Sequence, residues 1–397
     1  MNEVVVLSAV RTPFGAFGGT LKDFTLPELG GMVVAEALRR ANIPPEEVDE
    51  IAMGVNLPGS DRSIARQVAL RAGLPDTALA FTVDRACCSS LTAINMVSRS
   101  LRLGETRVVV AGGTENMSLV PYFLHAARWG NRLGDIVLKD QLVISCPYTG
   151  KARAVQAGEE AVAYHIGREE QDRWALRSHQ RCLVAQEAGF FQSEIMPVEV
   201  PQRKGPPILF DKDESVRPDT SLEKLAKLPT VYGSPTVTAG NAPGLNTGAA
   251  AIVLATRAEA ERRGIQPLAT IKTWAMAAGH PDKLASIPAV AARKALSQVG
   301  MTIDQMDLIE INEAFAAMPL VSTHILGDGD PDKVAAIREK TNVHGGAIAI
   351  GHPTGATAAR LVMTLIYALR NRGGGWGLVA ICGGIGEGEA AIVHVET

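Results

Sequence analysis

The chain has 397 residues, 46% of them hydrophobic and 20% charged, with a net charge of −3. That is the composition of a globular protein large enough for two or three domains, and it offers nucleic acid no overall attraction. Its five cysteines (87, 88, 146, 182 and 382) are odd in number, irregularly spaced and free of any Cys-x-x-Cys pair, which argues against a disulfide framework or a metal site.

The opening MNEVVVLSAVRTPFG has no basic leader and only a short apolar run, so it reads as a strand rather than a signal peptide. The richest apolar stretch, LVMTLIYALR, falls well short of the roughly 20 residues that span a bilayer. A cytoplasmic protein without membrane partners is expected. EALRRANIPPEEVDEIAMG, from Glu36, then lines up without a gap against KALSQVGMTIDQMDLIEIN, from Lys294. Both predict a helix, a polar turn and a buried strand. CCSSLTAINMVSRSLRLGETRVVVAGG and HPTGATAARLVMTLIYALRNRGGGWGLVAICGG also share one plan: small residues, a helix closed by Gly104 or Gly373, an apolar strand and a Gly-Gly exit. Continuous apolar runs of this kind suit strands covered on both faces. The helix from Ala356 is apolar nearly all round, which places it at the centre.

The expected fold is therefore α/β: two similar halves, residues 1–268 and 269–397, packed around shared central helices. Residues of about 119–249 have no counterpart in the second half. With the charged helix GREEQDRWALRSHQRCLVAQEAG and the stretch PQRKGPPILFDKDESVRP, they read as an insertion over the mouth of the first half.

Four polar constellations fall at strand ends or helix starts. RACCSS puts Cys87 and Cys88 at the end of the connection from a buried strand and just before a helix, where unpaired N–H groups and the helix dipole favour an anion. A thiol there is expected to have a lowered pKa and to serve as a nucleophile. From the residues alone a buried structural cysteine is an equal reading, and the two thiols are not distinguished. Ser89 and Ser90 are natural helix caps. GHPTG locks His352 between glycine and proline ahead of the central helix, a suitable place for a general base. CGGIGEG sets Cys382 at a strand end among glycines whose N–H groups can approach a ligand. EINEAFA places Asn312 and Glu313 directly after a strand. A phosphate loop is not supported, because neither GxxxxGK[ST] nor GxGxxG occurs in these stretches.

In this order AVRTPFGAFGGTL, RACCSS, AGGTENMS, TAGNAPGLNTGAA, NEAFA, GGAIAIGHPTGA and CGGIGEG resemble the thiolase family, over essentially the whole length. The resemblance implies the duplicated five-layer αβαβα fold and reversible Claisen condensation or thiolytic cleavage of 3-ketoacyl-CoA. Its substrates are acyl-CoA, acetyl-CoA and CoA, it requires no metal or other cofactor, and it implies a homodimer or homotetramer. It implies that Cys87 is acylated, with Cys88 a bystander, and that His352 takes the Cys87 proton. Cys382 would be the second acid/base, Asn312 would hold an oxyanion-hole water, and the N–H groups of Cys87 and Gly384 would meet the acyl oxygen. Substrate contacts would fall on Arg217, Pro243, Leu284 and Phe315, with Arg203, Lys204 and Lys212 adding attraction for phosphates.

The sequence departs from the family pattern at several places. Asp84 stands for a usual Asn, Ser90 for Gly, Pro243 for Ser, Thr247 for Asp and His344 for Asn, while ASIPAVAARKAL lacks the Gly-x-Gly-Pro glycines. Asp84 could oppose thiolate formation. A ketoacyl synthase or hydroxymethylglutaryl-CoA synthase would share the fold, but Cys382 in CGGIGEG argues against both. A lipid-binding relative without turnover would be expected to have lost one of the four polar residues. A redox role for the vicinal thiols is the remaining alternative.

Overall fold

In the computed structural model, which describes residues 2–125, 127–143 and 145–397, the apolar runs form nine main strands of one sheet. Met1, and Ala126 and Ile144 inside the expected insertion, lie outside the described residues. The first half contributes β1 (Val4–Arg11), β2 (Glu50–Gly54), β3 (Leu79–Val83), β4 (Val108–Asn116) and β5 (Asn246–Thr256). The second contributes β6 (Ala269–Ala278), β7 (Leu308–Ile311), β8 (Gly375–Cys382) and β9 (Glu387–Val395). The strand order is β7-β8-β9-β6-β1-β5-β4-β2-β3, with the two-residue strand Gly15–Ala16 beside β5.

The duplication is visible in this order. Outward from the middle, β1-β5-β4-β2 matches β6-β9-β8-β7. The pairing sense matches too: β2 runs parallel to β4 as β7 does to β8, the other neighbours in the two series are antiparallel, and the edge strand β3 is parallel to β2. The half-sheets meet where β1 pairs antiparallel with β6 through Val4, Val5 and Val6. The sheet is thus mixed rather than parallel. Its continuous apolar strands arise because helices cover both faces, whatever the pairing sense.

Helices α1 (Leu26–Ala41) and α2 (Ile64–Arg71) cover the outer face of the first half-sheet. Between the half-sheets lie α3 (Ser89–Leu103) and, later in the chain, the fully sandwiched helix Thr354–Asn371. Side chains of β4 alternate accordingly. Val109 and Ala111 join the central core, while Val108 and Val110 join the outer one, as the period of two requires. The insertion supplies α4 (Arg153–Ala163) and α5 (Arg168–Glu187), and the second half adds α6 (Ile287–Gln298) and α7 (Ala317–Leu326). With these introduced, the sandwiched helix is α8.

Buried charge ties the insertion to the opening strand. The fully buried Arg11 binds Glu194 at 2.7 Å and grips Asp213 with both terminal nitrogens, at 2.7 and 2.9 Å. A bidentate pair is the geometry that makes such burial tolerable.

Two expectations need correction. The strand leading to Cys87 is not buried: β3 is the sheet edge, and Leu79 is 64% exposed. Nor do Ser89 and Ser90 cap α3. Cys88 holds the cap position without a side-chain bond. The Ser89 hydroxyl accepts from Arg85 N and donates to Ala86 O, and the Ser90 hydroxyl accepts from Ala359 N across the central interface. A hydroxyl offered two backbone partners nearby does not reach forward into its own helix.

The central helices start unusually close to the strand ends. A Cβ on Gly113 would lie 1.9 Å from Gly355 O, and one on Gly54 would lie 2.5 Å from Ser90 N. Gly113→Ala should therefore force α8 away from β4 and cost about 1–3 kcal/mol or more in denaturant unfolding. Gly244→Ala, whose Cβ would meet nothing nearer than 4.0 Å, should stay within about 0.5 kcal/mol.

Candidate active site

Two helix starts, one from each half, bring the first pair together. Cys87 Sγ lies 3.2 Å from His352 Nε2. His352 Nδ1 lies 2.7 Å from the Thr357 hydroxyl, which donates to Pro353 O at 2.9 Å. With that proton spent on Pro353, the Thr357 oxygen accepts from Nδ1–H, and the network assigns the free Nε2 lone pair to the Cys87 side. The backbone is pinned as well. His352 N donates to Asn246 Oδ1 at 2.8 Å, and a Cβ on Gly351 (φ +115°) would come within 2.9 Å of the Asn246 side chain.

Burial sets the protonation states. It lowers the His352 pKa to about 3, with the Arg360 charge adding to the effect. Cys87 is pushed well above the ordinary thiol value by burial, and the negative charges of Cys382 and Glu115 add to that. The expected lowering at the helix N-terminus is therefore corrected: withdrawal from water outweighs the helix dipole. Asp84 is not among the strongest influences on the thiol. Its carboxylate accepts from Ala86 N at 3.0 Å in a local turn. Cys87 and His352 form a neutral thiol–imidazole pair at rest. Cys88 is fully buried, its Sγ 3.7 Å from Ile381 O.

Asn312 Nδ2 lies 3.4 Å from His352 Nε2, while its Oδ1 is buried without a partner among the described residues. Cys382, buried at the end of β8, is pushed up by burial to about 11, although the N–H groups of Gly384 and of Cys382 itself pull the other way. Gly384 takes φ +85°, and its Cβ would sit 3.3 Å from that of Ala86, which is itself left-handed at φ +48°. The two turns that present the cysteines thus face each other. Such a non-glycine outlier costs on the order of 1–3 kcal/mol and marks a position that the surroundings hold in place.

Of the expected substrate residues, Leu284 is buried and Phe315 half-buried in the apolar cluster that contains Cys382. Pro243 is half-buried beside Ala242 at the edge of that cluster, whereas Arg217 stands in solvent and holds His179 Nδ1 through its backbone N–H at 3.2 Å. Arg203, Lys204 and Lys212 are exposed. His344 lies elsewhere, stacked on Phe190 at 3.6 Å and held neutral by burial, with a pKa of about 4. Thr247 joins β5 to β4 through Asn116 Oδ1 at 2.8 Å.

The sequence reading placed Glu313 after its strand without giving it a role, and did not single out Glu115 or Thr357. Glu115 accepts from Asn56 N, Leu57 N, Gly355 N and the Thr354 hydroxyl, fastening the start of α8. Glu313 accepts from Trp174, Ser178, Asn342 and Ile348 N, tying α5 to the glycine stretch. Thr357, one helical turn beyond Pro353, was legible as a candidate support for His352. Glu115 looked like any polar strand end.

If the pair is neutral, alkylation of Cys87 by iodoacetamide should keep accelerating from about pH 6 to about pH 9 as thiolate accumulates. A rate that levels off below about pH 6 would show a preformed thiolate–imidazolium pair instead.

With this geometry established, comparison with known proteins is specific. Residues 4–258 match the thiolase N-terminal domain and residues 265–395 the thiolase C-terminal domain. An acetyl-CoA acetyltransferase of Chromobacterium violaceum is 43% identical, over 99% of each chain. Beta-ketothiolase BktB of Cupriavidus necator is 42% identical, over 98% of each. The crystal structure of the Bacillus anthracis acetyl-CoA acetyltransferase superposes with a TM-score of 0.95 at 41% identity, covering 100% of this chain and 99% of that one. The chain belongs to the thiolase family and is an acyltransferase.

Proposed function

We propose that this thiolase interconverts 3-ketoacyl-CoA plus CoA with acyl-CoA plus acetyl-CoA, through an acyl thioester on Cys87. The observation that carries the reading is the 3.2 Å contact from Cys87 to an imidazole whose other nitrogen is held by Thr357. In the cleavage direction His352 takes the Cys87 proton and the sulfur attacks the 3-keto carbon. The C2–C3 bond breaks, and the acetyl-CoA carbanion takes the proton of Cys382. CoA then gives its thiol proton to the Cys382 thiolate and attacks the acyl-enzyme. Cys87 leaves as thiolate and recovers its proton from His352. Condensation is the reverse.

A thiol held near 11 suits this role, because its conjugate base is strong enough to work at carbon. The N–H groups of Cys87 and Gly384 are the donors for the acyl oxygen. His352 Nε2–H and a water on the free Oδ1 of Asn312 serve the thioester oxygen of the carbanion. Protein groups supply every proton, so the proposal includes no metal or other cofactor.

The proposal also covers organisation. The division at about residue 268, the insertion at about 119–249 and a cytoplasmic location belong to it, the last supported by five free cysteines. Among the described residues, no helix is long and apolar enough to cross a membrane. A homodimer or homotetramer is supported by exposed apolar side chains on the insertion, where Trp129 is 88% and Leu133 92% exposed, and by the uncovered edge β3. Light scattering at micromolar concentration should give two or four chains per particle, and a monomer mass would contradict this.

Cys382→Ser tests the division of labour. Serine keeps the pocket shape but is a far weaker acid, so condensation and thiolysis should fall by about 10² to 10⁴-fold or more. Acetylation of Cys87 by acetyl-CoA should fall much less, since CoA thiolate leaves without needing a strong acid. Equal losses in both would remove Cys382 from the second step.

A further inference from the structure

The apolar cluster around Cys382 is walled by α4, and its first residue is a cation. Ala154 and Ala157 of α4 pack in that cluster with Leu284, Phe315 and Met318. The helix is fixed there from both ends. Glu160 accepts from Leu284 N at 2.8 Å, Ala285 N at 2.7 Å and the Ser286 hydroxyl. Gln156 donates to Pro281 O at 3.1 Å and to Asp282 at 2.8 Å. Arg153 opens the helix, half-buried, with Nη1 donating to Gln156 Oε1 at 3.0 Å. No carboxylate lies within salt-bridge distance of it among the described residues, whereas its neighbours Lys151 and Glu160 are both occupied.

The guanidinium acts on both catalytic positions, favouring the thiolate of Cys87 and of Cys382. Its other hydrogen-bond partner among the described residues is the Cys146 thiol. Burial raises that group, but bonds from Thr149, from the N–H groups of Tyr148 and Thr149 and from Arg153 outweigh burial and bring it to about 6. Gln156 and Cys146 together use two of the five guanidinium N–H donors, so the planar fork retains donors for a further acceptor.

We propose that Arg153 recognises a carboxylate at the far end of the acyl chain, so that the preferred substrate is a 3-ketoacyl-CoA of dicarboxylic type. This rests on the thiolase reading above and names the substrate class of the same site. The phosphates of CoA lie at the opposite end of the pantetheine arm from the reacting sulfur, so a cation on the helix that walls the Cys382 cluster is placed for the acyl part. A neutral acyl chain would leave a half-desolvated guanidinium facing methylene groups, an unfavourable contact. A carboxylate adds a charge-assisted bond through the donors that Arg153 still has free.

The test is thiolysis of 3-oxoadipyl-CoA against 3-oxohexanoyl-CoA, equal in carbon number, with acetoacetyl-CoA alongside. The protein should favour the carboxylate substrate in kcat/KM by about tenfold or more, the size of one charge-assisted hydrogen bond. Arg153→Met should abolish that preference, chiefly through KM, and Arg153→Lys should keep part of it. Higher salt should erode the preference. No preference in the unaltered protein would overturn the proposal while acetoacetyl-CoA cleavage still upheld the thiolase reading. Equal loss on both six-carbon substrates in Arg153→Met would also overturn it, and would assign Arg153 to the thiols alone. Failure to cleave any of the three would sink the thiolase reading itself.

Discussion

The contact between Cys87 and His352 exists because two helices, one from each half, begin at the same place in the centre of the molecule. Their start points are set by close approach. Gly54, at the end of β2, and Gly113, within β4, lie against the backbones of Ser90 and Gly355, and Glu115 gathers the N–H of Gly355 with those of Asn56 and Leu57. A side chain at either glycine would separate the helix starts, and the 3.2 Å contact depends on that separation. The duplication thus does more than repeat a fold unit. It delivers Cys87 just ahead of one helix and His352 on the turn before the other, with Cys382 at the end of the strand that follows.

Burial has opposite consequences for the members of the site, and both are useful. It keeps His352 unprotonated, hence able to accept a proton, and keeps both thiols protonated, hence unreactive until substrate arrives. In the proposed mechanism charge appears only during turnover, next to N–H donors already in position. Elsewhere in the core charges are tolerated in pairs. Arg11 is held by Glu194 and Asp213. Arg360 differs: it faces Glu310, whose pKa burial lifts to about 8 against the pull of that arginine, so near neutral pH this carboxyl is largely protonated. These buried groups join the insertion, the opening strand and the central helix.

Much of this was legible in the sequence. The repeat beginning at Glu36 and Lys294 became β2 and β7, each parallel to its neighbour, and the apolar run from Ala356 became the sandwiched α8. Thiolase motifs fall where the strand ends converge. Other features escaped for physical reasons. The edge position of β3 depends on pairing order, which local pattern does not encode. The left-handed Ala86 has no residue signature, since the conformation usually calls for glycine. The thiol pKa came out with the wrong sign because the helix dipole is a local property, while burial depends on everything packed around it. Arg153 sat in an unremarked stretch of the insertion, and only its placement beside the Cys382 cluster gives it meaning.

The central claim is that Cys87, and not its neighbour Cys88, is the atom on which the acyl group rests. Incubation with acetyl-CoA, followed by peptide mass analysis, tests it directly. An acetyl group should be found on Cys87, should persist in Cys88→Ala and should vanish in Cys87→Ala. Labelling that survives Cys87→Ala and disappears in Cys88→Ala would contradict the account.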